Sequence, residues 1–162
     1  TGINLALDKA QGEIILLGDG DTYFGDRVIE KIIKHFEKSE VFAVTGRPRS
    51  SDLKITMMNY FGHLLTDAAH HKRMVDLTEE PHGKSLVFVK KRKFFPVSGY
   101  LFAMRKNDIR APEDCLVEDA FFSYEIYNHG KKIEYEPEAE VFVKFPKTLS
   151  DYFKQKKRSV GG

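Results

Sequence analysis

Tryptophan is absent from the sequence, cysteine occurs once, and no long apolar stretch is present. The single cysteine, Cys115, excludes an intrachain disulfide. No activating base can be identified for it, so we interpret it as an ordinary thiol in a reducing compartment. No apolar run approaches the roughly 18 residues that a membrane-spanning helix requires. We therefore expect the chain itself to be soluble.

Neither sign of charge is in excess. The 26 basic and 24 acidic residues are interspersed and leave a formal net charge of +2, which argues against a nucleic-acid partner. Hydrophobic residues make up 41% and charged residues 31% of the 162 residues, so one domain with a hydrophobic core is expected. The first residues lack a starter methionine and a signal-peptide pattern, and the chain stops directly after the basic run Lys154 to Arg158 without a helix stop. We therefore expect both ends to be boundaries within a longer protein.

The most informative motif is Asp19-Gly20-Asp21, which directly follows the apolar run Ile14-Ile15-Leu16-Leu17. We interpret the run as a buried strand that carries two carboxylates at its end. In an extended chain residues i and i+2 point the same way, so both carboxylates could converge on one divalent metal ion. Such an ion could neutralise a diphosphate, and Gly20 would let the phosphate approach. The alternative is an acidic turn after a strand.

Two other kinds of site begin with similar residues and fit poorly. A calcium-binding EF-hand loop that starts at Asp19 would need an oxygen ligand and then glycine where the chain has Tyr23 and Phe24. An aspartyl phosphatase of the haloacid dehalogenase type would place threonine or valine where the chain has Tyr23. Spacing therefore disfavours both.

Apolar periodicity predicts alternating helices and strands, and hence an α/β domain with its working residues on loops at strand ends. Helices are predicted at residues 3–10, 26–39, 57–68, 119–128 and 148–157. Strands are predicted at residues 13–17, 41–45, 86–89, 97–104, 132–135 and 139–143. Asp26 is the expected N-cap of the second helix, Gly130 the stop of the fourth, and residues 47–51 a loop.

Four segments carry a further pattern. They are the helix with Asn4-Leu5-Ala6-Leu7 that leads to Asp19-Gly20-Asp21, then residues 97–105, then Val117-Glu118-Asp119-Ala120, and finally Gln155-x-x-Arg158-Ser159. In this order they resemble the family 2 glycosyltransferases, particularly the synthase-like branch that includes cellulose, chitin and hyaluronan synthases. The resemblance covers nearly the whole chain.

The resemblance implies a GT-A-like α/β fold with a mixed sheet flanked by helices. It implies an inverting, metal-dependent glycosyltransferase of the hexosyltransferase type. The donor is expected to be a nucleotide-diphosphate sugar, specifically a UDP-sugar, and the acceptor a saccharide or a lipid-linked group. The parent protein is expected to be membrane-associated, with this part on the cytoplasmic side.

The same resemblance implies roles on the donor side of the site. By this similarity Asp21 is the more direct ligand of the metal ion. Mg or Mn is the expected ion, because carboxylate and phosphate oxygens suit hard cations. Asp19 lies closer to the ribose and diphosphate of the nucleotide. Arg158 lies three residues after Gln155 on one helix face, where it could contact the diphosphate.

On the acceptor side, the resemblance implies that Asp119 is the catalytic base, with Glu118 beside it. Gly99, Tyr100 and Gln155 are the residues expected to contact the acceptor. The acceptor hydroxyl is a poor nucleophile, so a carboxylate must take its proton as it attacks. A single displacement with inversion follows.

Two departures from the family pattern matter. Ser159 stands where the synthase-like members have tryptophan, so aromatic stacking on the acceptor is lost and processive polymerisation is less expected. Family members begin with a strand-helix-strand unit that holds the nucleotide base, and nothing before Thr1 supplies it. Residues 1–162 are therefore expected to be a single catalytic-domain fragment, incomplete at the N-terminus.

Several alternatives stay open at this point. Glu118 and Asp119 could cap the following helix. The basic residues from Lys154 to Arg158 could be a solvated helix end or a juxtamembrane patch. The whole chain could be a non-catalytic binding or scaffold module, or a polyprenyl-phosphate monoglycosyltransferase.

Two further clusters receive weaker interpretations. His70-His71 lacks cysteine or carboxylate partners at zinc-ligand spacing, so we expect an exposed helix end without chemistry. The basic run Lys90 to Lys93 could attract an anionic acceptor or a lipid head group.

Overall fold

The computed structural model describes residues 2–78 and 94–160, without the side chains of residues 78 and 158–160. In chain order its elements are α1 (Gly2–Lys9), β1 (Ile14–Gly18), β2 (Tyr23–Phe24), α2 (Val28–His35), β3 (Val41–Ser50), α3 (Met57–Thr78), β4 (Leu101–Arg105), α4 (Glu118–Asn128), β5 (Lys132–Val143) and α5 (Leu149–Val160). The predicted strand at residues 86–89 and the basic run after it lie outside the described residues.

The strands form one mixed sheet in the order β1-β4-β3-β5-β2. β3 and β5 are parallel, β4 is antiparallel to both β1 and β3, and β2 is antiparallel to β5. The predicted α/β class is confirmed. Within the described residues, no helix is both long enough and apolar enough to cross a bilayer.

β1 occupies an edge of this sheet, so its prediction as a buried strand is wrong. It pairs only with β4, and none of its residues is fully buried; Leu16 is 36% exposed. Its apolar run resembles that of a strand with two neighbours. In the described chain only one neighbour is present.

β3 is longer than predicted, because the expected loop at residues 47–51 continues the strand as far as Ser50. This second half pairs in parallel with β5, from Arg47 opposite Glu140 to Ser50 opposite Val143. Pro48 cannot donate a backbone hydrogen bond, and it lies beyond residues 43–45, where β3 pairs with β4. The proline therefore interrupts no bond with that neighbour.

Other boundaries also differ from the prediction. The helix predicted at residues 26–39 is shorter, Val28–His35, and the one predicted at residues 57–68 continues to Thr78. β5 is one strand rather than two, because an irregularity in its pairing with β3 accommodates the intervening residues. β4 starts at Leu101, so residues 97–100 are not part of it. Arg27, with φ of 57°, occupies the N-cap position of α2 without a side-chain cap, so the expected capping by Asp26 is wrong. Gly130, with φ of 74°, ends α4 as predicted.

Two clusters of buried side chains cover the two faces of the sheet. Val44, Leu101 and Ala103 belong to one cluster, whereas their neighbours Phe102 and Met104 belong to the other, as strand alternation requires. The first cluster includes the buried face of α2, and the second includes residues of α1 and α4. The second cluster therefore fixes the helix that carries the candidate catalytic carboxylates.

Candidate active site

A cleft of about 610 Å³ opens where β1 ends and β4 begins. It is lined by residues of five segments: Ile3 and Ala6 of α1; Leu17, Gly18 and Asp19; Ser98, Gly99, Tyr100 and Phe102; Leu116, Val117, Glu118 and Asp119; and Gln155 and Lys156 of α5. Because β4 is antiparallel to β1, its start lies beside the end of β1. This is the edge at which α/β sheets bind ligands.

The acidic motif after β1 forms a turn. Thr22 donates two hydrogen bonds to the main-chain oxygen of Asp19, from its backbone N–H at 3.4 Å and from its hydroxyl at 2.8 Å. The expected extended arrangement of Asp19 and Asp21 is therefore wrong, because a closed turn separates them. Both carboxylates are exposed; Asp19 lines the cleft and Asp21 does not.

The segment before β4 approaches the start of α4 very closely at Gly99. The Gly99 backbone N–H donates to Oδ2 of Asp119 at 2.9 Å. A Cβ atom added at Gly99 would lie only 3.1 Å from that oxygen. Glycine at this position therefore permits the contact between the segment and the carboxylate.

Asp119 receives a second backbone hydrogen bond from its own helix. The Ala120 N–H donates to Oδ1 at 2.9 Å, while Val117 occupies the N-cap position without a side-chain bond. Glu118 and Asp119 both lie in the first turn, where the helix dipole favours negative charge. Helix stabilisation and a place in the cleft are thus compatible for this pair.

A cation on α3 interacts electrostatically with Asp119. The Arg73 guanidinium lies 5.3 Å from the ring centre of Tyr135 and donates to the main-chain oxygen of Gly46 at 3.3 Å. Burial lowers the pKa of Arg73 below its ordinary value, and Tyr135 and Asp119 partly offset that effect. The arginine adds fixed positive charge close to the start of α4.

α5 closes another side of the cleft with Gln155 and Lys156. The helix is anchored by Tyr152, whose ring packs edge-on against Phe61 of α3 at 5.3 Å between centres. Lys156 was missed by the sequence analysis as a lining residue, although its position next to Gln155 in the fourth motif was a usable signal. The side chain of Arg158 lies outside the described residues, so its assignment stays a prediction.

The structure brings most of the predicted site residues together. Those that line the one cleft are Asp19, Gly99, Tyr100, Glu118, Asp119 and Gln155. Among the described residues, no group of three or more histidine, cysteine or acidic side chains could hold a metal ion. A metal ion held at the two aspartates of the turn would therefore need further ligands.

His70 departs from its expected position at an exposed helix end. α3 continues for eight residues beyond it to Thr78, and the side chain is half-buried. His70 Nδ1 lies 2.8 Å from the Tyr135 hydroxyl. Burial, followed by the positive charge of Arg47, lowers its pKa. His70 is thus part of the packing between α3 and β5.

The fold and cleft define a mixed α/β domain with acidic groups at the ligand-binding edge of its sheet. The sequence model of the family described as Glycosyltransferase like family 2 matches residues 1–162. The chain therefore belongs to this family, whose members transfer a glycosyl group from a nucleotide sugar to an acceptor. The five-stranded sheet flanked by helices is consistent with the GT-A-like fold. A comparison with curated proteins finds no significant match.

Proposed function

We propose that this domain performs inverting, metal-dependent transfer of a hexosyl group from a UDP-sugar to a hydroxyl of a saccharide or lipid-linked acceptor. The main support is one cleft with a carboxylate on each side: Asp19 after β1 and Asp119 at the start of α4. The first side suits a donor diphosphate with its cation, and the second suits an acceptor that must lose a proton.

Asp119 is the proposed base. Each of its oxygens accepts one backbone N–H, at 2.9 Å in both cases, and a carboxylate oxygen has lone-pair capacity for more than one such bond. With respect to the hydrogen bonds of the described residues, each oxygen therefore keeps capacity to accept a bond from the acceptor hydroxyl. Glu118, Tyr100 and Gln155 line the same cleft and would orient the acceptor.

Asp19 and Asp21 would hold a Mg or Mn ion, with Arg158 as a further contact to the diphosphate. Two exposed carboxylates fit the chemistry of such an ion, because Mg often takes only one or two protein carboxylates and completes its shell with water and substrate phosphates. When bound, the ion would stabilise the negative charge that gathers on the departing diphosphate. The proposal is a single displacement by the acceptor oxygen, hence inversion.

Two alternatives make different predictions. A non-catalytic scaffold would keep the fold without metal-dependent nucleotide binding. A polyprenyl-phosphate monoglycosyltransferase would bind the same donor but would transfer one sugar to a lipid phosphate. Metal-dependent binding of UDP distinguishes our proposal from the scaffold. The kind of acceptor that supports turnover distinguishes it from the monoglycosyltransferase.

The test is calorimetric titration of UDP into the purified chain with and without Mn²⁺. We expect binding that needs the metal and weakens by about tenfold or more in Asp21→Ala. Asp114→Ala makes the same change at another exposed carboxylate and serves as the matched control. Binding that ignores the metal and Asp21 would contradict the metal site. A folded chain without any UDP binding would point to a nucleotide site that these residues do not complete, or to the scaffold.

We also propose that one face of the domain lies against an anionic membrane. The segments 53–64 and 144–157 expose apolar side chains, and Leu53, Ile55 and Met57 are each at least 73% exposed. The two segments pack together where Phe145 lies against Gly62. They contain the lysines Lys54, Lys144, Lys147, Lys154, Lys156 and Lys157, against the single acidic residue Asp151. Apolar side chains among lysines suit an anionic lipid surface.

Co-sedimentation with vesicles tests this face. We expect binding to vesicles that contain phosphatidylglycerol and little binding to pure phosphatidylcholine. Replacing Ile55 and Met57 with serine should weaken the binding, whereas Leu5→Ser, an exposed apolar change on α1, should not. Equal binding of all these variants would contradict the proposal.

A further inference from the structure

Three consecutive backbone N–H groups before β4 are each bound by a side chain, two of them from α4 and one from β3. Val97 donates to Oγ of Ser123 on α4 at 3.0 Å, and Ser98 donates to Oγ1 of Thr45 on β3 at 2.9 Å. Gly99 donates to the Asp119 carboxylate at 2.9 Å. These side chains therefore help to set the position of residues 97–99.

The Thr45 hydroxyl spans the turn that leads into β4. It accepts the Ser98 N–H and donates to the main-chain oxygen of Leu101 at 3.1 Å. The Leu101 N–H in turn donates to the Ser98 oxygen at 3.1 Å. Thr45 is 0% exposed, so bulk water does not compete for either bond.

The Ser123 hydroxyl connects the same segment to the helical turn that carries Asp119. It accepts the Val97 N–H and donates to the main-chain oxygen of Asp119 at 2.6 Å. Ser123 is also 0% exposed. Its one oxygen thus links the backbone before Gly99 to the backbone of Asp119.

We propose that Thr45 and Ser123 are positioning residues, which hold the Gly99 N–H and the Asp119 carboxylate in their relative places. Neither hydroxyl belongs to a residue that lines the cleft, so both act through residues that do. The consequence for catalysis rests on the proposed function, because it requires Asp119 to be the base. The consequence for the geometry of Gly99 and Asp119 does not require it.

Paired substitutions at Thr45 separate the hydroxyl from the packing of the side chain. Thr45→Val keeps the shape and removes the hydroxyl, whereas Thr45→Ser keeps the hydroxyl and removes a methyl group. Ser123→Ala removes only one oxygen. Thr66→Val is the matched control, because the buried Thr66 hydroxyl lies near main-chain oxygens of its own helix, Gly62 at 3.2 Å and His63 at 2.9 Å.

The first measurement is steady-state transfer with the UDP-sugar that gives the highest turnover in a screen. We expect Thr45→Val and Ser123→Ala to lower kcat by about tenfold to a hundredfold, with KM for the donor nearly unchanged. Thr45→Ser and Thr66→Val should retain kcat. If Thr45→Ser lowers kcat and Thr45→Val keeps the wild-type kcat, then the packing of the methyl group matters and the hydroxyl does not. That result would overturn the proposal.

The second measurement is hydrogen exchange of the Gly99 amide, which needs no activity. In Thr45→Val the Ser98 amide loses its own acceptor, but Gly99 keeps Asp119. Positioning predicts that Gly99 exchange also becomes faster in Thr45→Val and in Ser123→Ala, and stays unchanged in Thr66→Val.

The two measurements separate the two proposals. Unchanged Gly99 exchange in folded Thr45→Val and Ser123→Ala would overturn the positioning role. A different outcome is that the wild-type chain transfers no sugar, while Gly99 exchange is still faster in the two variants. That outcome would preserve the positioning role and reject the proposed function. If Thr45→Val does not fold, Ser123→Ala gives the same comparison with a smaller change.

Discussion

The two acidic sides of the cleft differ in their surroundings. Asp119 is partly buried, and both of its oxygens accept backbone N–H groups. Asp19 and Asp21 are exposed on a turn closed by bonds from Thr22 to the main chain of Asp19. Backbone N–H groups therefore bind the Asp119 carboxylate directly, whereas the bonds from Thr22 hold the backbone of the turn.

This difference suits the two proposed tasks. A base must be held at a set distance from the hydroxyl it deprotonates, and small displacements of it lower the reaction rate strongly. A cation between carboxylates and a diphosphate can instead gather its ligands as the donor binds. The comparison predicts that substitutions near Asp119 change kcat, and that substitutions in the turn change donor binding.

Asp119→Asn tests the fixed side most strongly. The amide keeps the size of the side chain but cannot take a proton, so we expect kcat to fall by about a hundredfold to ten thousandfold. Binding of UDP should stay close to wild type. Asp108→Asn, at an exposed position in the loop after β4, is the control. A variant with wild-type turnover would remove Asp119 from the mechanism and leave it as a helix-stabilising residue.

Glu134→Gln tests a carboxylate that is held by several protein contacts but lies outside the cleft. Glu134 on β5 is buried and does not line the cleft. Burial opposes its ionisation, but bonds from Lys132, His35 and Lys38 outweigh burial and lower its pKa to about 2. We expect the substitution to lower the free energy of unfolding by about 2 kcal/mol at pH 7 and to leave kcat unchanged.

The pH dependence of that loss has a defined sign. Because the pKa of Glu134 is lower in the folded state, its stabilisation is complete above about pH 4.5 and declines as the pH falls towards about 2. Urea denaturation at steps from pH 7 to pH 3 should show the difference in the free energy of unfolding between wild type and variant become smaller at the lowest pH values. The exposed Glu138→Gln on the same strand should show no such trend. A constant difference would contradict the assignment.

The sequence predicted the helices and strands better than it predicted which strands pair with each other. Hydrophobic spacing located α1, α4 and the glycine stop at Gly130, because these are local properties. It did not predict that β1 is an edge strand or that β3 continues through Pro48, because both depend on which strands pair. Pairing partners are distant in the chain, and local propensity carries no information about them.

The site shows the same division. Motif order predicted that Asp19, Gly99 and Asp119 would share a cleft. The supporting hydroxyls, Thr45 and Ser123, were not predicted, because serine and threonine are common within strands and helices and belong to no motif. Their role is visible only when β3, β4 and α4 are placed side by side.

Gly99→Ala should shift the Asp119 carboxylate without removing it, so its effect should be smaller than that of Asp119→Asn. The added Cβ would lie 3.1 Å from Asp119 Oδ2, which is tight enough to push the carboxylate by a few tenths of an ångström. We expect kcat to fall by about tenfold with little change in thermal stability. Gly2→Ala, where a Cβ meets nothing within 4 Å, is the control. Unchanged turnover would mean that the close contact is not needed for the reaction.

Gly20→Ala probes the other side with the smallest expected effect. A Cβ at Gly20 would contact no protein atom within 4 Å, so packing does not require glycine and the free energy of unfolding should change by less than about 0.5 kcal/mol. If a diphosphate approaches this backbone, the methyl group should weaken UDP binding in Mn²⁺ by about threefold to tenfold, measured by calorimetry. Unaltered affinity would support the alternative of a simple acidic turn, and the difference between the two sides of the cleft would then lose its functional meaning.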